Sequence, residues 1–157
     1  TMPNGLQPAF ETADPNFAAR VRANFDRQGL MGGLGAVLKT VEPGFVTIEL
    51  PYAETLTQQH GFFHAGGVSS IADTAGGFAA STLVGAEDGI LTVEFKINLM
   101  APADGDLLIA EGRVVKPGRT LTLATADVFV RKNGALKQCA LMQQTLMRIV
   151  GRSGIVG

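Results

Sequence analysis

The sequence predicts an α+β fold in which a curved antiparallel β-sheet wraps a long, buried central α-helix. The first observation is the run from Gly66 to Val84, which contains a single charged residue, Asp73. A helix that is apolar or small on every side is buried rather than laid on a surface. The second observation is the period-two alternation of the flanking segments, which is typical of strands. The third is the series of tight Pro, Gly and Asn turns between the later segments, which favours consecutive antiparallel pairing.

The first 30 residues are predicted to form an N-terminal extension and a helix. Residues 1–14 are expected to be irregular, because Gly5, Pro3 and Pro8 interrupt them. Asp14 and Pro15 are typical of an N-cap and a first helical position. Apolar residues then follow at helical spacing, at Phe17, Val21 and Phe25. Gly29 and the Gly32-Gly33 pair are predicted to end this helix.

The next segments predict a hairpin, a loop and the central helix. Leu34–Val41 and Phe45–Tyr52 alternate as strands and are joined by the turn Glu42-Pro43-Gly44. Residues 53–63 are expected to form a loop. The central helix is predicted over residues 65–85, with Gly85 as its C-terminal cap.

Four further strands are predicted, at Ile90–Met100, Asp106–Val115, Thr120–Val130 and Ala135–Ile149. Because short turns separate them, they are expected to form an antiparallel meander. The first alternates cleanly, as expected for a sheet with one face in water. The last two do not, so either both of their faces are covered or the predicted register is wrong. The tail at residues 151–157 is expected to fray.

Composition limits the possible functions. The 157 residues fit one domain, residues 1–157, and the net charge of −1 gives no reason to expect nucleic-acid binding. Only 17% of the residues are charged, which suggests surface buried between subunits. The single cysteine favours a reducing compartment, so a cytoplasmic location is expected. Neither a signal peptide nor an apolar run long enough to cross a membrane is apparent.

Asp73 is the most informative residue, because a carboxylate in a buried helix costs several kcal/mol unless a partner or a role compensates. Upstream lies the sequence QQHGFFHAGG, which contains two histidines and three glycines. An acid beside such a turn predicts an active site. The alternative is that Asp73 is the N-cap of a helix that begins at Thr74.

The sequence does not favour metal or serine-hydrolase chemistry. Two histidines four residues apart, with one distant cysteine, do not form a zinc-binding set, and no G-x-S-x-G nucleophile elbow is present.

The segment QQHGFFHAGGVSSIADTA, residues 58–75, resembles the hotdog-fold thioesterases of the phenylacetate-pathway (PaaI-like) type. That family has Asn-x-x-Gly-x-x-His-Gly-Gly, with an acid seven residues after the last glycine. The matching positions are Gln58, Gly61, His64, Ala65, Gly66 and Asp73. Gln58 replaces the usual Asn, and Ala65 replaces the first Gly of the pair. The segments FKINLMAPADGD and VVKPGRTLTLATADV are also similar, so the likeness covers about residues 30–150.

The resemblance implies a hotdog subunit that pairs edge to edge into a homodimer or homotetramer, with its active site between two subunits. It implies acyl-coenzyme A thioesters as substrates, hydrolysed to acid and free thiol without a metal or a bound cofactor. Asp73 would be the nucleophile or the general base. The Gly66 N–H, at a helix N-terminus with its partial positive charge, would form the oxyanion hole.

The resemblance also implies roles for the other matched residues. Gln58 would orient water or the acid, and His64 would either shape the loop or donate a hydrogen bond to the carbonyl. Thr92 matches a position with a small hydroxyl near the acid of the facing subunit. Gly61 and Ala65 would contact substrate. Lys116 and Arg119 flank a turn and could bind coenzyme A phosphates, although most charges at turns are simply solvated.

Two other functions stay open on the sequence alone. One is a non-catalytic acyl-CoA-binding module, which would keep a groove without needing the acid. The other is a hotdog hydratase or dehydratase, which pairs a histidine with an acid in a different motif. His60 has no predicted role and is expected at the surface.

Overall fold

The computed structural model describes residues 10–155, so residues 1–9 of the predicted extension and residues 156–157 of the predicted tail lie outside it. Two short helices, α1 (Phe17–Asp26) and α2 (Gly29–Leu34), precede the hairpin of β1 (Val37–Glu42) and β2 (Phe45–Pro51). A single 3-10 turn (Glu54–Leu56) lies in the loop before the long helix α3 (Ala65–Ser81). The remaining strands are β3 (Asp88–Leu99), β4 (Leu107–Lys116), β5 (Leu121–Lys132) and β6 (Ala135–Val150).

All six strands form one antiparallel sheet in the order β1-β2-β4-β5-β6-β3. Strands β4, β5 and β6 form the predicted meander, but β3 lies at the far edge beside β6 instead of pairing with β4. The prediction of a four-strand meander is therefore wrong. The connection at residues 100–106 is long enough to reach from β3 to β4. Fully extended, it spans up to about 24 Å, whereas the three strand spacings between β3 and β4 amount to about 14 Å.

Strand β3 is exposed on both faces, so the prediction of one face in water and one in the core is wrong for this strand. Its apolar side chains Leu91, Val93, Phe95 and Leu99 are 48–56% exposed. The register against β6 shifts between Thr92 and Glu94, which places a bulge at Val93 and interrupts the alternation. As an edge strand, β3 has a hydrogen-bonding partner on one side only.

Helix α3 packs one face against the sheet and leaves the other partly uncovered. The face in the core consists mainly of small and branched apolar residues: Val68, Ile71, Ala72, Ala75, Gly76, Phe78, Ala79 and Ala80. On the opposite face Ser69, Asp73, Thr74 and Gly77 are only half-buried. The expectation of a helix buried on every side is therefore wrong for a single chain.

Helix α3 and strand β4 are in direct backbone contact at Gly112. A Cβ at Gly112 would collide with the carbonyl group of Ala75 and lie 2.5 Å from the Gly76 nitrogen. Close packing is also found at Gly76, where a Cβ would overlap Gln144, whereas a Cβ at Gly77 would meet nothing within 4 Å. The absence of side chains at Gly112 and Gly76 lets the helix sink onto the sheet.

The C-terminus of α3 is held by a side chain from α1. The helix ends at Ser81 and is capped by Thr82, so the predicted end at Gly85 is wrong. The Arg20 guanidinium donates to the carbonyl oxygens of Ser81 at 3.1 Å and of Val84 at 3.0 Å. These bonds satisfy carbonyl groups that a helix end leaves unpaired, so a glycine cap is not needed there.

The start of α1 also differs from the prediction. The helix begins at Phe17 with Asn16 as its N-cap residue, so Asp14 and Pro15 lie before it. The Asp14 carboxylate accepts hydrogen bonds from the Arg20 side chain at 2.9 Å and from the Asn16 N–H at 2.9 Å. The bond from Arg20, followed by that from Asn16, lowers the pKa of Asp14 below its usual value. Asp14 thus orients Arg20 rather than capping α1.

The glycines predicted to end the first helix belong to a second one. Gly29, Gly32 and Gly33 lie in α2, which buries Met31 and ends at Gly35 with φ of 78°. A buried side chain stabilises this short helix in spite of the poor helix propensity of glycine.

A bulge explains why β6 lacked clean alternation in the sequence. The register between β5 and β6 shifts at Val128 and Phe129, and Cys139 is the extra residue. Cys139 and Ala140 are consequently both buried, although they are adjacent. Strand β5 alternates cleanly between buried and less buried residues. For this strand the predicted register was therefore wrong, and the two faces are not both covered. Burial raises the pKa of the Cys139 thiol to about 11.

We expect Gly112→Ala to lower the melting temperature by about 2–10 °C, because overpacking against backbone costs about 1–3 kcal/mol in a chain of this size. Gly32→Ala is the matched control: it adds the same methyl group where nothing lies within 4 Å. It should leave stability unchanged or raise it by about 1 kcal/mol. Equal melting of Gly112→Ala and the wild type would show that the contact with α3 is not tight.

Candidate functional site

The loop before α3 is a hydrogen-bonded turn that places the helix start. The Gln58 carbonyl accepts the Gly61 N–H at 3.0 Å, and Gly61 has φ of 81°, a conformation that favours glycine. The Phe63 N–H donates to the Ala103 carbonyl at 3.0 Å, which ties the loop to the β3–β4 connection. The Gln58 side-chain oxygen accepts the His60 N–H, so Gln58 stabilises its own turn. His60 is exposed, as expected.

His64 is the N-cap residue of α3. Its Nδ1 accepts the Gly66 N–H at 2.7 Å. An Nδ1 that accepts a hydrogen bond belongs to a neutral imidazole protonated at Nε2. His64 therefore organises the loop, and the Gly66 N–H assigned to the oxyanion hole is engaged by the ring in this structure. Both residues are exposed, so a ligand could reach this helix start.

A cavity of about 410 Å³ lies beside the helix start. Gln58 and Ala65 form part of its wall. The rest is mostly apolar and comes from the loop, α3, the end of β3, the β3–β4 connection and β6: Phe62, Phe63, Val68, Leu99, Met100, Ala101, Pro102, Ala103 and Cys139. This cavity can take an apolar group next to the helix N-terminus.

Asp73 lies two turns further along α3 and accepts two hydrogen bonds through one oxygen. The Thr92 hydroxyl donates to Asp73 Oδ1 at 2.7 Å, and the Gln144 amide nitrogen donates to the same oxygen at 3.0 Å. The Gln144 amide also donates to the Asp73 carbonyl oxygen at 3.3 Å. Among residues 10–155, nothing donates to Asp73 Oδ2. The carboxylate is thus fixed at one oxygen and free at the other.

These contacts concern two points left by the sequence. The possibility that Asp73 caps a helix beginning at Thr74 is wrong, because α3 begins at Ala65. The Thr92 hydroxyl, which the resemblance places near the acid of a facing subunit, contacts Asp73 of its own chain, and its position relative to a second subunit stays a prediction. The bulge at Val93 lies directly after Thr92 in the strand.

Gln144 is the residue that the sequence analysis missed. It points inward from β6 between Met142 and Leu146 and is 1% exposed. The sequence signal was a polar residue at an inward position of an otherwise apolar row. It could not be recognised there because the bulge at Cys139 obscured which residues of β6 face inward.

The described chain does not bring all the predicted site residues together. A second cavity of about 100 Å³ contains Asp73 and Thr92 but none of Gln58, His64, Ala65 or Gly66. Gly66 and Asp73 are seven residues apart, so they share a helix face but are separated by about 10 Å. One subunit therefore presents two half-sites along one face of α3, one at the helix start and one near its middle.

Lys116 and Arg119 flank the β4–β5 turn and are exposed. Within residues 10–155 neither forms an ion pair or a side-chain hydrogen bond. The turn lies at the same end of the sheet as Thr92, because Thr92, Leu146 and Thr122 pair across β3, β6 and β5. Two strand spacings separate Thr92 from Thr122, about 10 Å.

Residues 10–155 contain no group of three or more His, Cys, Asp or Glu side chains placed to hold a metal ion. In the same part of the chain, no helix combines the length and the apolar character that crossing a membrane requires.

Known proteins resemble this chain in sequence. The model of the thioesterase superfamily matches residues 60–137, which include Asp73 and Thr92. A protein of Halobacterium salinarum named as a candidate esterase is 31% identical over 116 residues, which are 71% of this chain and 76% of the relative. A candidate esterase of Saccharolobus solfataricus is 32% identical over 69% of this chain and 76% of its own length.

Solved structures resemble it in fold. A thioesterase family protein from Silicibacter pomeroyi superposes with a TM-score of 0.85 at 47% identity, covering 86% of this chain and 99% of that one. The E. coli PaaI protein from the phenylacetic acid degradation operon superposes with a TM-score of 0.76 at 21% identity, covering 87% and 95%. The second likeness concerns the fold, a six-stranded antiparallel sheet around α3. Together with the sequence matches, these findings show that the chain belongs to the thioesterase superfamily, as a hotdog-fold thioester hydrolase.

Proposed function

We propose that this chain hydrolyses acyl-coenzyme A thioesters to a free acid and coenzyme A, in a site that two copies of the chain form together. The observation that carries the proposal is Asp73, a half-buried carboxylate held by Thr92 and Gln144 with one oxygen left free. A positioned carboxylate with a free oxygen can activate water or attack a carbonyl.

The separation of the two half-sites supports completion by a second copy. Thr92 lies near the start of β3, and Leu99 lies at its end beside the cavity at the helix start. Antiparallel pairing of β3 with β3 of a second copy, about a two-fold axis near the middle of the strand, would bring Thr92 of one chain beside Leu99 of the other. Asp73 of one copy would then face Gln58 and Gly66 of its partner.

The surface of the single chain fits this pairing. Leu91, Val93, Phe95 and Leu99 leave apolar area exposed on an edge strand with an unpaired side. Such an edge invites aggregation unless another chain covers it. The half-buried face of α3 adds small side chains that would allow a second helix to approach. A homodimer is therefore proposed, with the homotetramer as a further assembly of such dimers.

Hydrolysis of a thioester requires a base, a nucleophile and a group that stabilises the negative charge developing on the carbonyl oxygen. In one route Asp73 Oδ2 takes a proton from water, the water oxygen attacks the carbonyl carbon, and the C–S bond breaks to release the thiolate, which is then protonated. In the other route Oδ2 itself attacks the carbonyl carbon, and the C–S bond breaks to release the thiolate. Water then hydrolyses the mixed anhydride to the free acid and the Asp73 carboxylate, with one proton from water going to the thiolate. Both routes use the same free oxygen, and neither needs a metal or a cofactor.

The start of α3 would stabilise the negative charge that develops on the carbonyl oxygen. The Gly66 N–H is proposed to exchange its bond with His64 Nδ1 for one with this oxygen, after rotation of the exposed imidazole. One such donor is typically worth about 100- to 1000-fold in rate. Gln58 would orient water or the acid, and Gly61 and Ala65 would shape the loop around the substrate.

Coenzyme A would extend from the thioester toward solvent. Lys116 and Arg119 are proposed to meet its phosphates, because both lie at the end of the sheet where Thr92 lies and neither pairs with an acid of residues 10–155. A cytoplasmic site of action is proposed, because a reducing compartment suits the buried free thiol of Cys139.

We expect Asp73→Asn to reduce thiol release from acyl-CoA by at least about 100-fold, because the free oxygen can then neither accept a proton nor attack. Thiol release is followed with a chromogenic disulfide over a panel of acyl chain lengths. Asp127→Asn is the matched control, since Asp127 also accepts a hydrogen bond from a glutamine amide, that of Gln138, but lies on the face of the sheet turned away from α3.

Each alternative function gives a different result in that panel. A binding module would bind acyl-CoA without turnover in the wild type, and a hydratase would turn it over without free thiol. Near-normal turnover of Asp73→Asn would show that the acid is structural and that the site is elsewhere.

We expect the wild type to sediment as a dimer or tetramer at micromolar concentration, and Phe95→Glu to shift it toward monomer. The substitution places two carboxylates near the proposed two-fold axis, where like charges repel. Turnover should fall with dissociation. Leu136→Glu is the control, because Leu136 is 58% exposed and lies on β6 away from the β3 edge. A folded, fully active monomer would contradict the two-subunit site.

A further inference from the structure

Gln144 is an unusual residue for the position it occupies. It lies on the inward face of β6, between Met142 and Leu146, which are both fully buried. Its side chain is 1% exposed, and its nearest polar groups belong to one residue, Asp73. A Met or Leu would continue the apolar row without burying an amide.

The orientation of the amide follows from its surroundings. The two atoms within hydrogen-bond distance of Nε2 are both acceptors, Asp73 Oδ1 at 3.0 Å and the Asp73 carbonyl oxygen at 3.3 Å. The opposite orientation would place the amide oxygen against these two oxygens, so the nitrogen must face Asp73. Gln144 Oε1 is then buried with no hydrogen-bond partner among the described residues. A buried polar atom without a partner requires an explanation beyond packing.

Helix α3 leaves room for this amide. A Cβ on Gly76 would overlap Gln144 Oε1 and would lie 2.7 Å from its Cδ. Since glycine is unfavourable inside a helix, leaving this space at Gly76 has a cost in helix stability. The missing side chain at Gly76 therefore gives the Gln144 amide the space in which it forms its two hydrogen bonds to Asp73.

We infer that Gln144 is a positioning residue for hydrolysis, which fixes the Asp73 carboxylate so that Oδ2 is the reacting oxygen. The inference rests on the proposed function of Asp73. Gln144 bridges the backbone carbonyl and the side chain of the same residue, so it restricts rotation of that side chain relative to α3. Thr92 holds the same oxygen from β3, and the two donors approach from adjacent strands of the sheet.

The chemical benefit is orientation. A carboxylate on a helix face can rotate, and each rotamer that turns Oδ2 away from the substrate is unreactive. Catalytic groups must be held close to the productive geometry by neighbours whose own positions are fixed by packing. Gln144 meets that condition because the core encloses it, whereas Thr92 is exposed.

The test is a double-mutant cycle with Gln144→Met and Asp73→Asn, measured by thiol release from one acyl-CoA, with enzyme in excess for the slow variants. Met has a similar size and no amide. We expect Gln144→Met to lower kcat by about 10- to 100-fold, the range for a hydrogen bond to a charged group, with KM within about 2-fold. In the Asp73→Asn background, Gln144→Met should cause no further loss, because the residue acts through the carboxylate.

If the role of Gln144 were only structural, its replacement would change the melting temperature rather than kcat. Gln144→Met should melt at the wild-type temperature or above, because it removes an unpaired buried oxygen. Gln138→Met is the matched control: it removes a Gln–Asp hydrogen bond of 2.6 Å from the same strand and should leave kcat unchanged. Gln144→Glu keeps the size but opposes the Asp73 carboxylate, so we expect a larger loss of kcat than with Met.

Each outcome separates this inference from the proposed function. Loss of activity in Asp73→Asn with wild-type kcat in Gln144→Met would overturn the inference and leave the function of Asp73 standing. An equal fold-loss from Gln144→Met in both backgrounds would also overturn it, since the amide would then act by another route. Wild-type turnover in Asp73→Asn would overturn the proposed function itself, and the inference with it.

Discussion

The close approach of α3 to the sheet is the constraint on which the other features depend. It exists because Gly112 of β4 has no side chain where the backbone of Ala75 and Gly76 passes. At this separation a glutamine on β6 can reach the carboxylate and the carbonyl group of Asp73. A larger separation would leave Asp73 as a solvated acid on a helix surface. Two glycines that have no functional group thus determine the position of the acid.

The geometry of the site lowers the stability of the isolated subunit. The Gln144 oxygen is unpaired, one face of α3 is incompletely covered, and the apolar side chains of β3 face solvent. An unsatisfied buried polar atom costs about 1–3 kcal/mol, a large share of the stability of a small domain. Covering β3 and the free helix face with a second copy would bury the apolar area and would join the half-sites. The features that weaken the isolated chain are the same ones that support a two-subunit active site.

The sequence predicted the architecture because its signals are local and strong. The low charge of the Gly66–Val84 run, the turn residues and the alternation of β2 define a sheet around a central helix, and the resemblance correctly identified the family. Asp73 was recognisable as one acid in an apolar run. The errors arose where a contact distant in sequence replaces a local signal. Arg20 ends α3 before Gly85, and the long β3–β4 connection moves β3 to the sheet edge.

The missed parts of the site have a related origin. The bulges at Val93 and Cys139 change which residues face inward, and alternation alone cannot locate a bulge. Gln144 was therefore not considered. The placement of Thr92 came from the family resemblance, which does not reveal that its hydroxyl contacts Asp73 of its own chain. The bond from Gly66 to His64 Nδ1 depends on a side-chain rotamer, which a spacing motif does not encode.

The central claim is that Asp73 of one chain works with the α3 start of another, and complementation tests it most directly. Chains carrying Asp73→Asn and Gly66→Val, each of which we expect to be inactive alone, are coexpressed with different affinity tags, and the mixed dimer is isolated through both tags. If each site takes Asp73 from one chain and Gly66 from the other, one of the two sites in the mixed dimer is intact. Its turnover should then be about half that of the wild-type dimer. A mixed dimer as inactive as its parents would show that each site lies within a single chain and would contradict the account.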